Sequence, residues 1–192
     1  MGRPLEGIAV LLAALPRDPG ARDRLFRRIW QRYYARLAVF VRGCGVHPDD
    51  IEDVVQDAME KVVRGIEGYD PARAFSTWVY TIAKNTCRDR ARRERARPPA
   101  GPLPDESRGF EPSHSLTPEK EYLRGETEKA VSRFFAGEGP EIRQIAFLRF
   151  SQSLRYAEIA QVMGIPVGTV KSRVHEMRRK LGSKLEEHHG GG

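Results

Sequence analysis

One stretch, residues 154–181, narrows what this chain can become more than any other: LRYAEIAQVMGIPVGTVKSRVHEMRRKL. Its first part predicts a short helix with Ile159, Ala160 and Met163 on one face. Gly164 follows, where a sharp turn between helices wants a positive φ that glycine adopts freely. Pro166 and Gly168 open a second helix, at a place where proline's missing N–H forfeits no hydrogen bond. Along it Val167, Val170, Val174, Met177 and Leu181 recur at spacings of three or four and form an apolar stripe. Lys171, Ser172, His175, Arg178 and Arg179 fall on the other side. A solvated basic face on an amphipathic helix is common, so the stripe alone does not single out DNA. The small residue, the glycine and the apolar positions around the turn do. They let two helices cross closely with a cationic face outward, as a helix-turn-helix with its recognition helix.

Charge is the second constraint. The chain carries a net +7, but two stretches concentrate it. Residues 84–97 hold seven cationic and two acidic side chains, and residues 167–184 hold six and one, so the remainder sums to −3. Such unevenness suggests a polyanion touched at two separate places. No apolar run approaches the ~20 residues of a membrane span, and residues 8–15, the longest candidate, lack the basic n-region and small-residue cleavage site of a signal peptide. Cys44 and Cys87 lie far apart in the chain without a CxxC partner. That fits a reduced, cytoplasmic protein whose two thiols are packing groups.

In chain order, Pro16 to Gly20 forms a turn cluster. A long helix is expected from Ala21, with Phe26, Ile29, Tyr33, Leu37, Phe40 and Cys44 on one face and Gly43 and Gly45 ending it. Core packing explains these aromatics. A second helix is expected from Pro48, with Ile51, Val54, Val55, Ala58, Met59, Val62 and Val63 as its apolar face. Between Asp49 and Glu67 there are seven acids and two bases. The macrodipole accounts for acids in the first turn, while Asp57 and Glu60 lie beyond it. A basic protein partner is one reading of them, no more favoured than its absence. No His or Cys joins the carboxylates, so a metal is set aside.

After a loop at 65–71 comes a third expected helix with Ser76 as N-cap and Phe75, Val79, Ile82, Ala83 and Trp78 inward. Past Asn85 arginines replace the apolar pattern. For the arginines alone a solvated end serves equally well. The interleaving of Trp78 and Tyr80 with Lys84, Asn85 and Arg88 favours nucleic acid, because rings stack on unpaired bases while cations hold phosphates. Residues 98–118 hold six of the thirteen prolines and read as a linker. Extended at ~3.1 Å per residue it reaches roughly 60 Å, more than the ~34 Å of one duplex turn. Residues 119–135 are expected to be helical, and Ile142, Ile145, Ala146 and Leu148 to pack under the helix-turn-helix. The fold expected is all-α: a helical domain over 1–97, the linker over 98–118, and a helix-turn-helix domain over 119–185. A disordered tail over 186–192 follows, in which His188 and His189 are at most a weak metal signal.

The order of these pieces resembles the bacterial RNA polymerase sigma factors, in their compact two-domain extracytoplasmic-function class (group four). DIEDVVQDAMEKV (50–62) is similar to the helix with which that family grips the basic coiled coil of the polymerase largest subunit. FSTWVYTIAKNTCRDRARR (75–93) resembles its block that melts and reads the minus-ten promoter element. YAEIAQVMGIPVGTVKSRVH (156–175) resembles its minus-thirty-five reader, with GTVKSR the most specific run. The resemblance implies a specificity subunit without enzymatic activity, cofactor or metal, which directs core polymerase to promoters. Asp50, Glu52, Asp53, Gln56 and Asp57 would dock on polymerase, whose flap is the other contact. Phe75, Ser76, Trp78, Lys84, Asn85, Arg88 and Arg92 would take the melted minus-ten strand. Thr169, Lys171, Ser172, Arg173, His175, Glu176, Arg178 and Arg179 would face the minus-thirty-five duplex. Such a protein is cytoplasmic, at the nucleoid when in holoenzyme, is not inserted in a membrane, and leaves room for an anti-sigma partner.

Two departures stand out. Glu176 stands where the family often has a base, which bears on upstream specificity because a carboxylate accepts from cytosine and repels phosphate. The segment before the last domain's second helix reads AGEGPEIRQ rather than the family's usual leucine-proline start. A free-standing helix-turn-helix regulator would leave the acidic helix and the aromatic-basic block without a role. A serine recombinase needs an N-terminal serine nucleophile, yet the first serine is Ser76. No Walker loop, zinc spacing or Ser-His-Asp set appears.

Overall fold

A computed structural model describes residues 20–96, 131 and 133–189. The regular structure among the described residues is helical, without strands, and gathers into two compact units. The expected linker and residues 1–19 lie outside the described residues, as does most of the helix expected over 119–135. No helix among the described residues is long and apolar enough to cross a membrane.

The first unit is a bundle of three helices. Helix α1 (Ala21–Gly43) buries Ala21, Leu25, Ile29, Tyr33, Leu37, Phe40 and Val41. Leu25 takes the inward place expected for Phe26, because it continues the four-residue row through Ile29, Tyr33 and Leu37 while Phe26 is half-buried. Beyond the helix end the Cys44 amide donates to the Phe40 and Val41 carbonyls, and Gly45 turns the chain at φ +79°. The next helix does not start as α at Pro48. Residues Pro48–Asp50 form a 3₁₀ turn, in which the His47 ring accepts from the Asp49 amide at 3.4 Å. Helix α2 (Ile51–Arg64) then buries Ile51, Val54, Val55, Ala58, Met59 and Val62, leaving Val63 half-buried. Each fully buried Val or Ile contributes about 1.5–3 kcal/mol over leaving it exposed. That row therefore fixes which face of α2 remains outside.

A second 3₁₀ turn, Ile66–Gly68, sits within the expected loop and buries Ile66. Helix α3 (Phe75–Arg95) begins one residue before Ser76, and Ala74, in extended conformation, is its N-cap. Ser76 is therefore inside the first turn, where its hydroxyl hydrogen-bonds the Tyr33 hydroxyl at 2.9 Å, tying α3 to α1. That long-range partner outbids the local cap. Phe75, Thr77, Val79, Tyr80, Ala83, Thr86 and Cys87 are buried, and Ile82 is half-buried.

Toward the C-terminus, helix α4 (Pro140–Ala146) starts on a proline that needs no hydrogen bond there. It widens into a π turn over Phe147–Ser151, where the Gln152 amide donates to the Phe147 carbonyl at 3.1 Å. Gln144, Ile145, Ala146, Phe147 and Leu148 are buried and Ile142 is half-buried. Helix α5 (Tyr156–Met163) leads to Gly164 at φ +68°, and the Ile165 amide donates to the Ala160 carbonyl at 3.2 Å. Helix α6 (Val167–His189) packs on α4 through a core that includes Val170, Val174 and Met177. Pro166 precedes α6 and its carbonyl accepts from Val170. Two expectations are corrected here. Val167 is 38% exposed rather than part of the buried stripe, since it sits in the first turn, before the stripe reaches α4. The tail is not wholly disordered: α6 runs on through Glu186 to His189, because Gly182 alone does not stop a helix that has already propagated.

Candidate nucleic-acid interface

The outer face of α2 is acidic. Glu52, Asp53, Gln56, Asp57 and Glu60 are exposed opposite the buried row. The Asp53 and Asp57 carboxylates make no hydrogen bond or ion pair among the described residues. Glu52 accepts from the Tyr34 hydroxyl and from the Gln56 amide, both at 3.4 Å. Tyr34 stacks on the exposed Trp30 with centroids 4.8 Å apart. Partial burial first, and then the Glu52 carboxylate, raise the Tyr34 hydroxyl's pKa above the usual tyrosine value. Asp50 differs from the other acids. Its carboxylate pairs with Arg90 of α3, which also holds Glu94 at 2.8 Å, and both ends of the Asp50–Arg90 pair are about three-quarters covered. Glu94, burial and Asp50 act in that order on Arg90, the two carboxylates raising its pKa and burial opposing them. Asp50 is thus an internal strut rather than an open docking carboxylate. Nearby, Lys61 reaches Thr86 at 3.1 Å and Asp89 at 3.6 Å, a second tie between α2 and α3.

At the start of α3, three rings meet. Tyr69, Phe75 and Trp78 have centroids 5.0–5.5 Å apart. Gly65 permits this: a Cβ there would stand 3.3 Å from the Trp78 ring and 3.1 Å from the Lys61 carbonyl oxygen. Tyr69 donates to the Arg73 carbonyl, and burial followed by neighbouring Tyr33 and Asp70 raises its pKa. Phe75, expected to meet DNA, is only 2% exposed and also touches Tyr33, so it braces the cluster from below. Tyr80 is likewise no stacking platform. It is fully buried between Phe40 and Tyr33 at 5.2 and 6.2 Å, and burial drives its hydroxyl's pKa strongly upward. Trp78 and Ser76 are half-buried, Lys84 is half-buried farther along, and Asn85, Arg88 and Arg92 are exposed. Arg92 lies 3.1 Å from Asp89. The accessible face of α3 is therefore narrower than the sequence suggested: one ring edge, then amide and guanidinium groups.

On α6 the stripe of Val170, Val174 and Met177 turns Lys171, Ser172, His175 and Arg179 outward, all exposed. The side chains of Lys171, His175 and Arg179 have no protein partner among the described residues, and Ser172 donates to the Thr169 carbonyl at 2.9 Å. The flanking cations are held. Arg173 pairs with Glu141 at 3.3 Å, Lys180 with Glu176 at 3.2 Å and Glu138 at 3.8 Å, and Arg178 lies over the Phe150 ring at 5.7 Å. Glu176, half-buried as Thr169 is, is thus partly neutralised by Lys180. No sequence signal announced Glu138, Glu141 or Arg90, because each pairs with a residue distant in the chain; the Trp30–Tyr34 stack, four residues apart on α1, was legible as an i, i+4 pair and was passed over. Tyr69 lay within a loop that the sequence had marked. No group of three or more His, Cys, Asp or Glu residues among those described is arranged for a metal.

The geometry is one acidic helix face, one mixed aromatic-cationic face and one cationic recognition face. Known proteins are similar to this chain in sequence. The sigma-70 region 2 family matches residues 29–97, and the sigma-70 region 4 family matches residues 140–181. The ECF RNA polymerase sigma-E factor of Haemophilus influenzae is 32% identical over 168 residues, spanning 85% of this chain and 88% of that protein. The sigma-E factor of Escherichia coli is 32% identical over 169 residues with the same coverage. The fold is similar to that of CnrH, solved with the cytosolic domain of CnrY, at TM-score 0.59 and 23% identity, covering 95% of this chain and 99% of that one. It is also similar to the sigma factor RpoE of Bartonella quintana, solved with the anti-sigma factor NepR, at TM-score 0.59 and 22% identity, covering 84% and 96%. With two sigma-70 regions in order and curated relatives alike over most of their length, the chain belongs to the ECF RNA polymerase sigma factors.

Proposed function

We propose that this sigma factor holds core RNA polymerase with the open acids of α2 and reads a promoter with α6 and α3. As a member of its family it brings core polymerase to promoters for transcription initiation. In the finer reading, Glu52, Asp53, Gln56 and Asp57 bind a basic surface of the largest subunit, with Asp50 supporting them from within. Lys171, Ser172, His175 and Arg179 enter the minus-thirty-five major groove, flanked by Thr169, Arg173, Glu176 and Arg178. Trp78, Lys84, Asn85, Arg88 and Arg92 hold the melted minus-ten strand, and Phe75 and Ser76 fix the helix that presents them. The first described unit carries the minus-ten and polymerase roles, and the second carries the minus-thirty-five role. The protein works by binding, with no reaction of its own. An anti-sigma protein is a further proposed partner, since solved proteins of similar fold were captured with one.

The observation that carries this reading is the exposed row Lys171, His175 and Arg179 on α6, without side-chain partners among the described residues, after the left-handed turn at Gly164. A groove-reading helix needs cations that are not already spent on protein carboxylates. The test is run-off transcription with purified core polymerase, this protein and fragments of its own genome. Specific starts are expected only when both proteins are present. Lys171→Ala is expected to lower binding to the upstream element and reduce the salt slope of log K by about one if Lys171 holds a phosphate. If Lys171 meets a base edge, it is expected to cost about 1–3 kcal/mol of discrimination. Unchanged promoter choice together with an unchanged salt slope would remove Lys171 from the interface.

A further inference from the structure

The chain has two cysteines, 43 positions apart, which the sequence offered only as separate packing groups. The fold brings them together. Cys44 caps the C-terminal end of α1 and is half-buried, while Cys87 lies in the middle of α3 and is 4% exposed. Neither is in a disulfide, and the Cys44 and Cys87 side chains are in hydrogen-bond contact. We propose that Cys44 and Cys87 are a reversible dithiol–disulfide pair which, when a peroxide reaches Cys44, staples the end of α1 to the middle of α3.

The chemistry follows from the difference in exposure. Cys44 is the thiol a small oxidant meets. Its thiolate attacks one peroxide oxygen, the O–O bond breaks, and hydroxide leaves Cys44 as a sulfenic acid. The Cys87 thiolate then attacks the Cys44 sulfur, the S–O bond breaks, and a second hydroxide departs as the disulfide forms. Two thiols are oxidised, one peroxide is reduced, and the two thiol protons complete two waters. In the reduced pair the Cys44 hydrogen bond lowers the Cys87 pKa against the burial that raises it, with Lys84 nearby also lowering it; once Cys44 is oxidised, Lys84 still favours the Cys87 thiolate. Burial shields Cys87 from oxidant, so a sulfenic acid formed on Cys44 meets Cys87 before a second peroxide. The remaining requirement is that sulfurs in contact approach to about 2.05 Å. Cys44 sits outside the last turn of α1, beside Gly43 and Gly45, where the backbone can yield. The staple closes a long loop of the unfolded chain and so favours the folded unit.

The test uses the full chain without denaturant, treated with hydrogen peroxide. Intact mass is expected to fall by about 2 Da, the loss of two hydrogens on disulfide formation. Peptide mapping is expected to show a 44–87 link, and titratable thiols to fall from two to none, reversibly with dithiothreitol. The melting temperature is expected to rise by at least about 5 °C. Cys44→Ser, which changes the half-buried position and spares the core, is expected to show neither the mass loss nor the rise. Sulfinic acid on Cys44 with Cys87 untouched, dimers linked between chains, or a link that appears only in denaturant would each overturn the proposal.

Discussion

Replacing Asp53 and Gln56 together by alanine is expected to remove this protein from core RNA polymerase in a pull-down, weakening binding by about 100-fold or more. Both side chains are exposed on the one face of α2 that the fold leaves outside. Asp53 is committed to nothing else among the described residues, and Gln56 makes only a 3.4 Å contact with Glu52. Hot-spot side chains at the centre of an interface cost about 2 kcal/mol or more each when truncated, and two such losses exceed a factor of 100. Because neither side chain is buried, the melting temperature is expected to stay within about 2 °C of the parent. Asp50→Ala is the informative contrast. It leaves Arg90 with Glu94 alone, in a pair only about a quarter exposed, so a stability loss of about 1 kcal/mol is expected alongside any effect on docking. Thermal melts beside quantitative pull-downs separate the two. Retained polymerase binding by the double variant would sink the docking assignment.

Tyr80→Ala is expected to cost about 3–5 kcal/mol of stability, enough to unfold much of the first unit at ordinary temperature. The ring is fully buried and touches Phe40 and Tyr33, so truncation leaves a large cavity between α1 and α3. Trp78→Ala is expected to behave oppositely: a smaller loss of stability but a clear loss of affinity for single-stranded minus-ten DNA, about 1–3 kcal/mol for one stacked base. Urea melts and oligonucleotide titrations of the two variants test this crossing pattern. If Tyr80→Ala folds normally and loses only DNA affinity, the placement of Tyr80 in the core is wrong.

That pair also shows what the sequence could and could not reveal. Periodicity located α1, α2 and α6 well, because rows such as Val54, Val55, Ala58 and Val62 are local patterns that burial enforces. The left-handed turn was legible because Gly164 stands directly before Ile165 and Pro166. Trp78 and Tyr80, two residues apart, read as one aromatic-basic surface, yet 3.6 residues per turn set them on different sides of α3. Ser76 looked like a cap because a cap is a local motif, whereas its partner Tyr33 is 43 residues away. Asp50 looked like Asp53 for the same reason. Charge patterns in a sequence show which residues are ionised, and only the packing of α3 shows that Arg90 already occupies Asp50.

The two ties between α2 and α3 have a mechanical consequence. Asp50–Arg90 sits just before the first turn of α2 and Lys61–Asp89 near its last, so torque applied to one helix is passed to the other rather than absorbed by a hinge. A subunit pulling on the acidic rod would swing α3 with it as a single yoke. The Lys61–Asp89 tie, with its side chains 45% and 38% exposed, yields to rising salt before the more sheltered Asp50–Arg90 tie does. Rising ionic strength would therefore slacken the yoke first at its Lys61 end.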